Sequence, residues 1–203
     1  MSTNKRASLK DIRKEEIMQA ALTVLSERGS ANVTLDDIAK ASGFSKGGIT
    51  YYYSSKEALI KDVFEYFFED VYKKAYEMMA KEKDPLGKLS SYTWLYDLND
   101  SQTKIMWPLI FDIMAISPHK EEYRLSFQTW VTKWVGIVSD ILREGNETGQ
   151  FQVDDIKETA QLISSTAQAI GARCYLDSKN HTEEWATKSF NYAITSFLNL
   201  SPS

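Results

Sequence analysis

Residues 34–59 read TLDDIAKASGFSKGGITYYYSSKEAL, and their punctuation marks two short helices, a tight turn and the start of a third helix. Thr34 stands at an N-cap position with Asp37 three residues on, the [ST]-x-x-[DE] form of a capping box. Leu35, Ile38 and Ala39 then share one face of a helix over 34–41. Ser42-Gly43 ends it, because glycine takes the left-handed C′ conformation without a Cβ penalty. Ser45 can cap a second helix over 46–53, and Ser55 a third. Two short helices joined by a short Gly-containing turn make a helix-turn-helix, whose second helix enters the DNA major groove.

An operator-reading helix needs small or polar residues near its N-terminus, so that the backbone approaches base edges. Gly47 and Gly48 supply that closeness, at roughly 1 kcal/mol each in helix propensity. Lys46 can donate to guanine O6/N7 or to a phosphate, and Thr50 and Tyr51 can contact a thymine methyl or an acceptor on a base edge. Thr34 and Ser45 head helices and can offer hydroxyl or N–H groups to phosphates. At helical spacing Ile49 and Tyr53 face the core, which leaves Tyr51 and Tyr52 outward.

Ala39, Gly43, Ser45-Lys46-Gly47, Tyr52 and Ser55-Lys56-Glu57-Ala58-Leu59 resemble the N-terminal domain of TetR/AcrR-type bacterial transcriptional regulators, with the likeness reaching upstream to Glu16–Gly29. The resemblance implies that the Tyr52 hydroxyl and the Lys56 ammonium meet phosphates, that repression is the usual mode, and that the last two helices pair across a two-fold axis. Gly48 and Thr50 stand where many relatives carry a larger residue and an aromatic, and Tyr53 replaces a common Phe. Base preference is therefore not transferable from the family.

Composition agrees with such a protein only in its distribution. The 203 residues are 43% hydrophobic and 26% charged, ordinary globular values, with net charge −4. Residues 1–60 hold nine Lys/Arg against seven Asp/Glu, a net +2, so the remainder carries −6. A basic head on an acidic body suits a protein that meets phosphates at one end. Five of the nine cations crowd into Lys5–Lys14, and residues 1–10 read as a basic arm that is either a solvated tail or an arm reaching the DNA backbone or minor groove beside the recognition helix. MSTNKRASLK has no hydrophobic signal core and no apolar run approaches the ~20 residues of a membrane span, so a soluble cytoplasmic protein is expected. The single Cys174 excludes an internal disulfide and a cysteine-rich zinc site, and is expected to be a small buried hydrophobe.

Periodicity elsewhere is helical throughout, giving an all-α chain of about nine helices. Ile17, Ala20, Ala21, Val24 and Leu25 mark a helix over 11–28. Leu59, Val63, Phe67, Val71 and Ala75 mark a long one over 55–83, ended by Asp84-Pro85. Further helices are expected over 86–98, 102–116, 120–143, 154–177 and 182–198, with a Gly-rich connection over 144–151. The expected domains are an arm and helix-turn-helix DNA-binding domain over 1–54, a connecting helix over 55–83, and a ligand-binding and dimerisation domain over 84–203.

The body is rich in aromatic and methionine side chains. Trp94, Met106, Trp107, Phe111, Met114, Phe127, Trp130 and Trp134, with Gln168 for orientation, suit a pocket for a hydrophobic or amphipathic effector as well as an ordinary core. The run Ser164-Ser165-Thr166-Ala167, with Ala169 and Gly171, lets a partner helix approach closely. The partners expected are double-stranded operator DNA, a small-molecule effector and a second copy of the chain, joined through the last two helices, without cofactor, metal or membrane. Gly43-Phe44-Ser45-Lys46-Gly47 matches G-x-S-x-G literally, but that elbow needs a strand before the serine, and here a helix precedes it. No catalytic residue is assigned. The alternatives are an all-helical protein-interaction module without DNA binding, or a regulator that activates.

Overall fold

The computed structural model describes residues 9–200, which form nine α-helices and two 3-10 segments, with no strand among the described residues. The helices are α1 (Leu9–Arg28), α2 (Leu35–Ser42), α3 (Lys46–Tyr52), α4 (Lys56–Met79), α5 (Pro85–Ser90), α6 (Ser101–Ile116), α7 (Glu121–Thr148), α8 (Ile156–Leu176) and α9 (Glu183–Phe197). The all-α expectation holds. Two compact units result. One contains the described residues through Glu69 together with Pro108–Ser126, and the other contains Asp70–Trp107 and the chain from Phe127 onward. The expected division differs, because it places 108–126 in the C-terminal domain. The chain passes between these units inside α4, α6 and α7.

The first unit is built on α1, which packs against α2, as α2 does against α3. Ile17, Ile38, Ile49 and Leu59 are each 0% exposed, and full burial of such a side chain contributes roughly 1.5–3 kcal/mol. The ion pairs around them are partly solvated, as in Lys14–Asp62 at 2.7 Å, and add little by comparison. Gly29 ends α1 at φ 72°, and a 3-10 turn over Ser30–Asn32 follows that periodicity does not show. The buried Ser30 donates its N–H to Asp112 Oδ2 at 2.6 Å. Tyr123 donates its hydroxyl to the Glu57 carbonyl at 3.2 Å. These two bonds show why residues 108–126 group with the N-terminal helices: their polar side chains complete backbone groups there.

In the second unit α8 packs on α9. Trp107, 2% exposed, donates its indole N–H to the Leu95 carbonyl at 3.2 Å and lays its ring on Gly171. A Cβ on Gly171 would lie 2.0 Å from that ring. The small size of Gly171 therefore serves packing within the chain, not the approach of a partner helix.

Three expected boundaries move, each for a local reason. The long helix stops at Met79 and not near Lys83, so it spans about 36 Å at ~1.5 Å per residue. Asp84-Pro85 begins the next helix: Asp84 Oδ1 accepts from the Gly87 N–H at 2.9 Å and Pro85 takes the first turn, where its missing N–H costs nothing. The Asp84 carboxyl is held below its ordinary pKa by the Gln150 side-chain amide and the Gly87 N–H. The helix expected over 86–98 is α5 followed by a 3-10 segment over Ser91–Tyr96. There Ser91 and Thr93 donate to the carbonyls of Lys88 and Ser90 at 2.7 and 3.0 Å, competing with the α-helical ladder. The Gly-rich connection over 144–151 is instead mostly helix. α7 runs to Thr148, and Phe151 folds back onto Gly145, where a Cβ would lie 2.0 Å from the ring. No helix of the described residues is long and apolar enough to cross a membrane.

Candidate DNA-binding surface

The helix-turn-helix forms as its caps dictate. The Thr34 Oγ1 accepts from the Asp37 N–H at 3.2 Å, and the Asp37 carboxylate accepts from the Thr34 N–H at 2.9 Å, closing the capping box. Hydrogen bonds from the Thr34 side chain, the Thr34 N–H and Arg28 hold the Asp37 carboxyl well below its ordinary pKa. Gly43 sits at φ 74°, ψ 8°, the left-handed conformation that ends α2. Ser45 Oγ accepts from the Gly48 N–H at 3.0 Å and caps α3, leaving its own hydroxyl proton free to donate.

α3 divides by face. Ile49 is 0% and Tyr53 3% exposed, so both face the core. The Tyr53 hydroxyl is buried with no hydrogen-bond partner among the described residues, and burial raises its pKa. Tyr51, 74% exposed, points away from the core, and its ring meets that of the half-buried Tyr52 edge-on at 5.0 Å. Gly47 and Thr50 are exposed beside it. Thr50 Oγ1 donates to the Gly47 carbonyl at 3.2 Å, which leaves its methyl group for contact.

The charged candidates are less simply disposed. Lys46 Nζ lies 2.9 Å from Asp36 Oδ2, and both side chains are largely solvated. Such a pair contributes about 0–1 kcal/mol, so a phosphate can displace it. The Thr34 hydroxyl donates to Asp37 Oδ2 at 2.6 Å and is fully engaged in its capping box. Lys56 opens α4 half-buried, just after Ser55, whose Oγ accepts from the Ala58 N–H at 3.0 Å.

Beside α3 the structure opens a groove of about 450 Å³, lined by Lys10 and Arg13 of α1 and by Phe44, Gly48, Tyr51 and Tyr52. Lys10 enters the sequence reading only as part of the arm over 1–10, and Arg13 is absent from the sequence-derived candidates. Their signal was the cation run Lys5–Lys14, read as an arm over 1–10; α1 already begins at Leu9, and residues 1–8 lie outside the described residues.

The expected effector residues do not gather in one body. Trp94, Met106, Trp107, Phe127, Trp130, Trp134 and Gln168 belong to the second unit, whereas Phe111 and Met114 belong to the first, and Met114 is 45% exposed. The Trp134 ring stacks near Tyr72 and Tyr92, at 5.4 and 5.3 Å. The Tyr92 hydroxyl is buried without a hydrogen-bond partner among the described residues. The Trp94 ring carries the Lys74 ammonium 4.5 Å from its centroid. Trp94 also lines a cleft of about 520 Å³, whose other walls include Glu82, Asp97 and Glu183. Cys174 is 0% exposed, and burial pushes its thiol above the ordinary pKa, so it packs as a small hydrophobe.

Fold and surface together define a helix-turn-helix protein with a separate helical body. Residues 17–63 match the family described as bacterial regulatory proteins, tetR family. The chain is 29% identical over 146 residues to the HTH-type transcriptional regulator YfiR of Bacillus subtilis, covering 70% of each. It is 24% identical over 182 residues to the HTH-type transcriptional repressor KstR2 of Rhodococcus jostii, covering 88% of this chain and 87% of that one. Its fold matches a transcriptional regulator of Saccharomonospora viridis in complex with choline at TM-score 0.81, with 18% identity, over 89% of this chain and 94% of that one. Residues 17–63 are therefore similar to the DNA-binding domain of the tetR family, and the relatives that the chain resembles over most of its length are transcriptional regulators.

Proposed function

We propose that the protein is a ligand-responsive repressor that binds a palindromic operator as a homodimer and is released by a small hydrophobic or amphipathic effector. The observation that carries the DNA half is the outward face of α3, where Gly47, Thr50 and Tyr51 stand exposed while Ile49 and Tyr53 anchor the helix to the core. Gly47 and Gly48 bring backbone to base edges; Tyr52, Lys56, Ser45 and a released Lys46 meet phosphates; Thr34 positions α2 through its cap. Repression has its support in the repressor KstR2 among the relatives.

The effector half rests on the second unit. The unpartnered Tyr92 hydroxyl beside Trp134 is a polar anchor in aromatic surroundings, the combination a small-molecule site requires. The fold relative from Saccharomonospora viridis holds choline, a small cationic ligand of the kind aromatic faces accept. Effector binding releases the operator to the extent that it favours one conformation of the chain over another.

Selection of sites from random duplexes at stated salt is the test. It should enrich a palindrome whose half-sites lie about one helical turn apart, ~34–36 Å. Tyr52→Phe and Lys56→Ala should weaken binding to every sequence, whereas Thr50→Ala should shift base preference. No enrichment from protein stripped of small molecules would overturn the proposal.

A further inference from the structure

The groove between α1 and α3 has a role that the helix-turn-helix alone does not supply. The only charged residue of α3, KGGITYY, is Lys46, and Asp36 neutralises it at 2.9 Å. The affinity of a DNA-binding protein rests largely on cations that displace condensed counterions from phosphates. α3 brings only this one cation, which a phosphate must first draw away from Asp36, so further cations come from its neighbours.

α1 does. Three cations stand on its first turns: Lys10, Arg13 and Lys14. Lys14 is committed to Asp62 at 2.7 Å, while neither Lys10 nor Arg13 makes an ion pair with a described residue. Lys10 and Arg13 are three residues apart and so share a face of α1. That face lines the same groove as Gly48, Tyr51 and Tyr52 of α3, and no carboxylate lines it. Two uncommitted cations on one wall and aromatic rings on the other suit a sugar-phosphate strand, with phosphates toward the cations and deoxyribose carbons against the rings.

We infer that this groove seats the DNA backbone beside the bases read by α3, and that Lys10 and Arg13 are phosphate-binding residues. The inference rests on the DNA-binding function proposed above and adds to it two contacts per protomer that carry no base information.

The test is the salt dependence of binding to a mixed-sequence duplex, which needs no knowledge of the operator. Each phosphate contact contributes about 0.9 to the slope of log K against log[salt]. Lys10→Ala with Arg13→Ala should make the slope shallower by about 1.8 per bound protomer, so that the loss of affinity from 50 to 200 mM salt becomes about tenfold smaller. Lys10→Arg with Arg13→Lys should restore the wild-type slope. Lys157→Ala with Lys179→Ala, exposed cations of the second unit, should leave it unchanged. A wild-type slope in the Lys10/Arg13 alanine variant, with its helical circular dichroism intact, would overturn the inference and leave the DNA-binding function standing. So would an equal change from the Lys157/Lys179 variant. Wild-type protein that binds no duplex at any salt would instead remove the function on which the inference rests.

Discussion

Gly47 is a glycine that folding does not demand. Its φ is not positive, and a Cβ built there would meet only Ser45 Oγ, at 4.0 Å. A side chain would fit the isolated protein, and alanine would favour the helix by up to about 1 kcal/mol. Gly47→Ala should therefore raise the unfolding midpoint while weakening operator binding, two changes of opposite sign read by thermal denaturation and by DNA titration. Loss of stability together with binding would assign Gly47 to the fold. Gly43 is the contrast, since φ 74° makes it a structural requirement of the turn. Both glycines are plain in the sequence. What separates their roles is the space around them, which depends on the packing of α2 and α3 and on nothing local.

Among the elements, the most informative departure is the placement of the α6–α7 turn with the DNA-binding helices. Asp112, near the end of α6, accepts from the Ser30 N–H at 2.6 Å, and Ser30 is only 5% exposed. Removing an acceptor from a buried N–H costs about 1–3 kcal/mol. Asp112→Ala should destabilise the protein by that amount in urea unfolding, and Asp112→Asn, which keeps an acceptor, should recover most of it. Equal stability of the two variants would show that the bond carries no weight. Periodicity located α6 to within a residue, but Asp112 and Ser30 are 82 residues apart and no local pattern links them. The caps behave oppositely. Thr34 and Ser45 accept from N–H groups three positions on, in their own helices, so each was legible from its neighbours. Asp84-Pro85 misled because such a dipeptide can close one helix or open the next; here α4 has already ended at Met79 and Asp84 caps α5.

For the whole molecule, the open question of assembly meets a concrete surface. Leu162 and Leu176 of α8 and Tyr192 of α9 are 44, 69 and 66% exposed, and Ser165 and Ala169 lie exposed along the same side of α8 as the two leucines. A homodimer through these helices would bury them. Leu162→Glu combined with Leu176→Glu should shift sedimentation from dimer to monomer and lower operator affinity, leaving circular dichroism unchanged. A monomeric wild type would remove the dimer from the proposal.

Helix number, the capping of the helix-turn-helix, the turn glycine and the core assignment of Ile49 and Tyr53 followed from the order of residues alone, because each is governed by interactions within about four positions along the chain. The commitment of Lys46 to Asp36, the groove that joins Lys10 and Arg13 to Tyr51, the burial of Gly171 under Trp107 and the division of the aromatic residues between two units did not. These depend on which distant segments pack together, and that choice belongs to the folded core and not to any stretch of sequence.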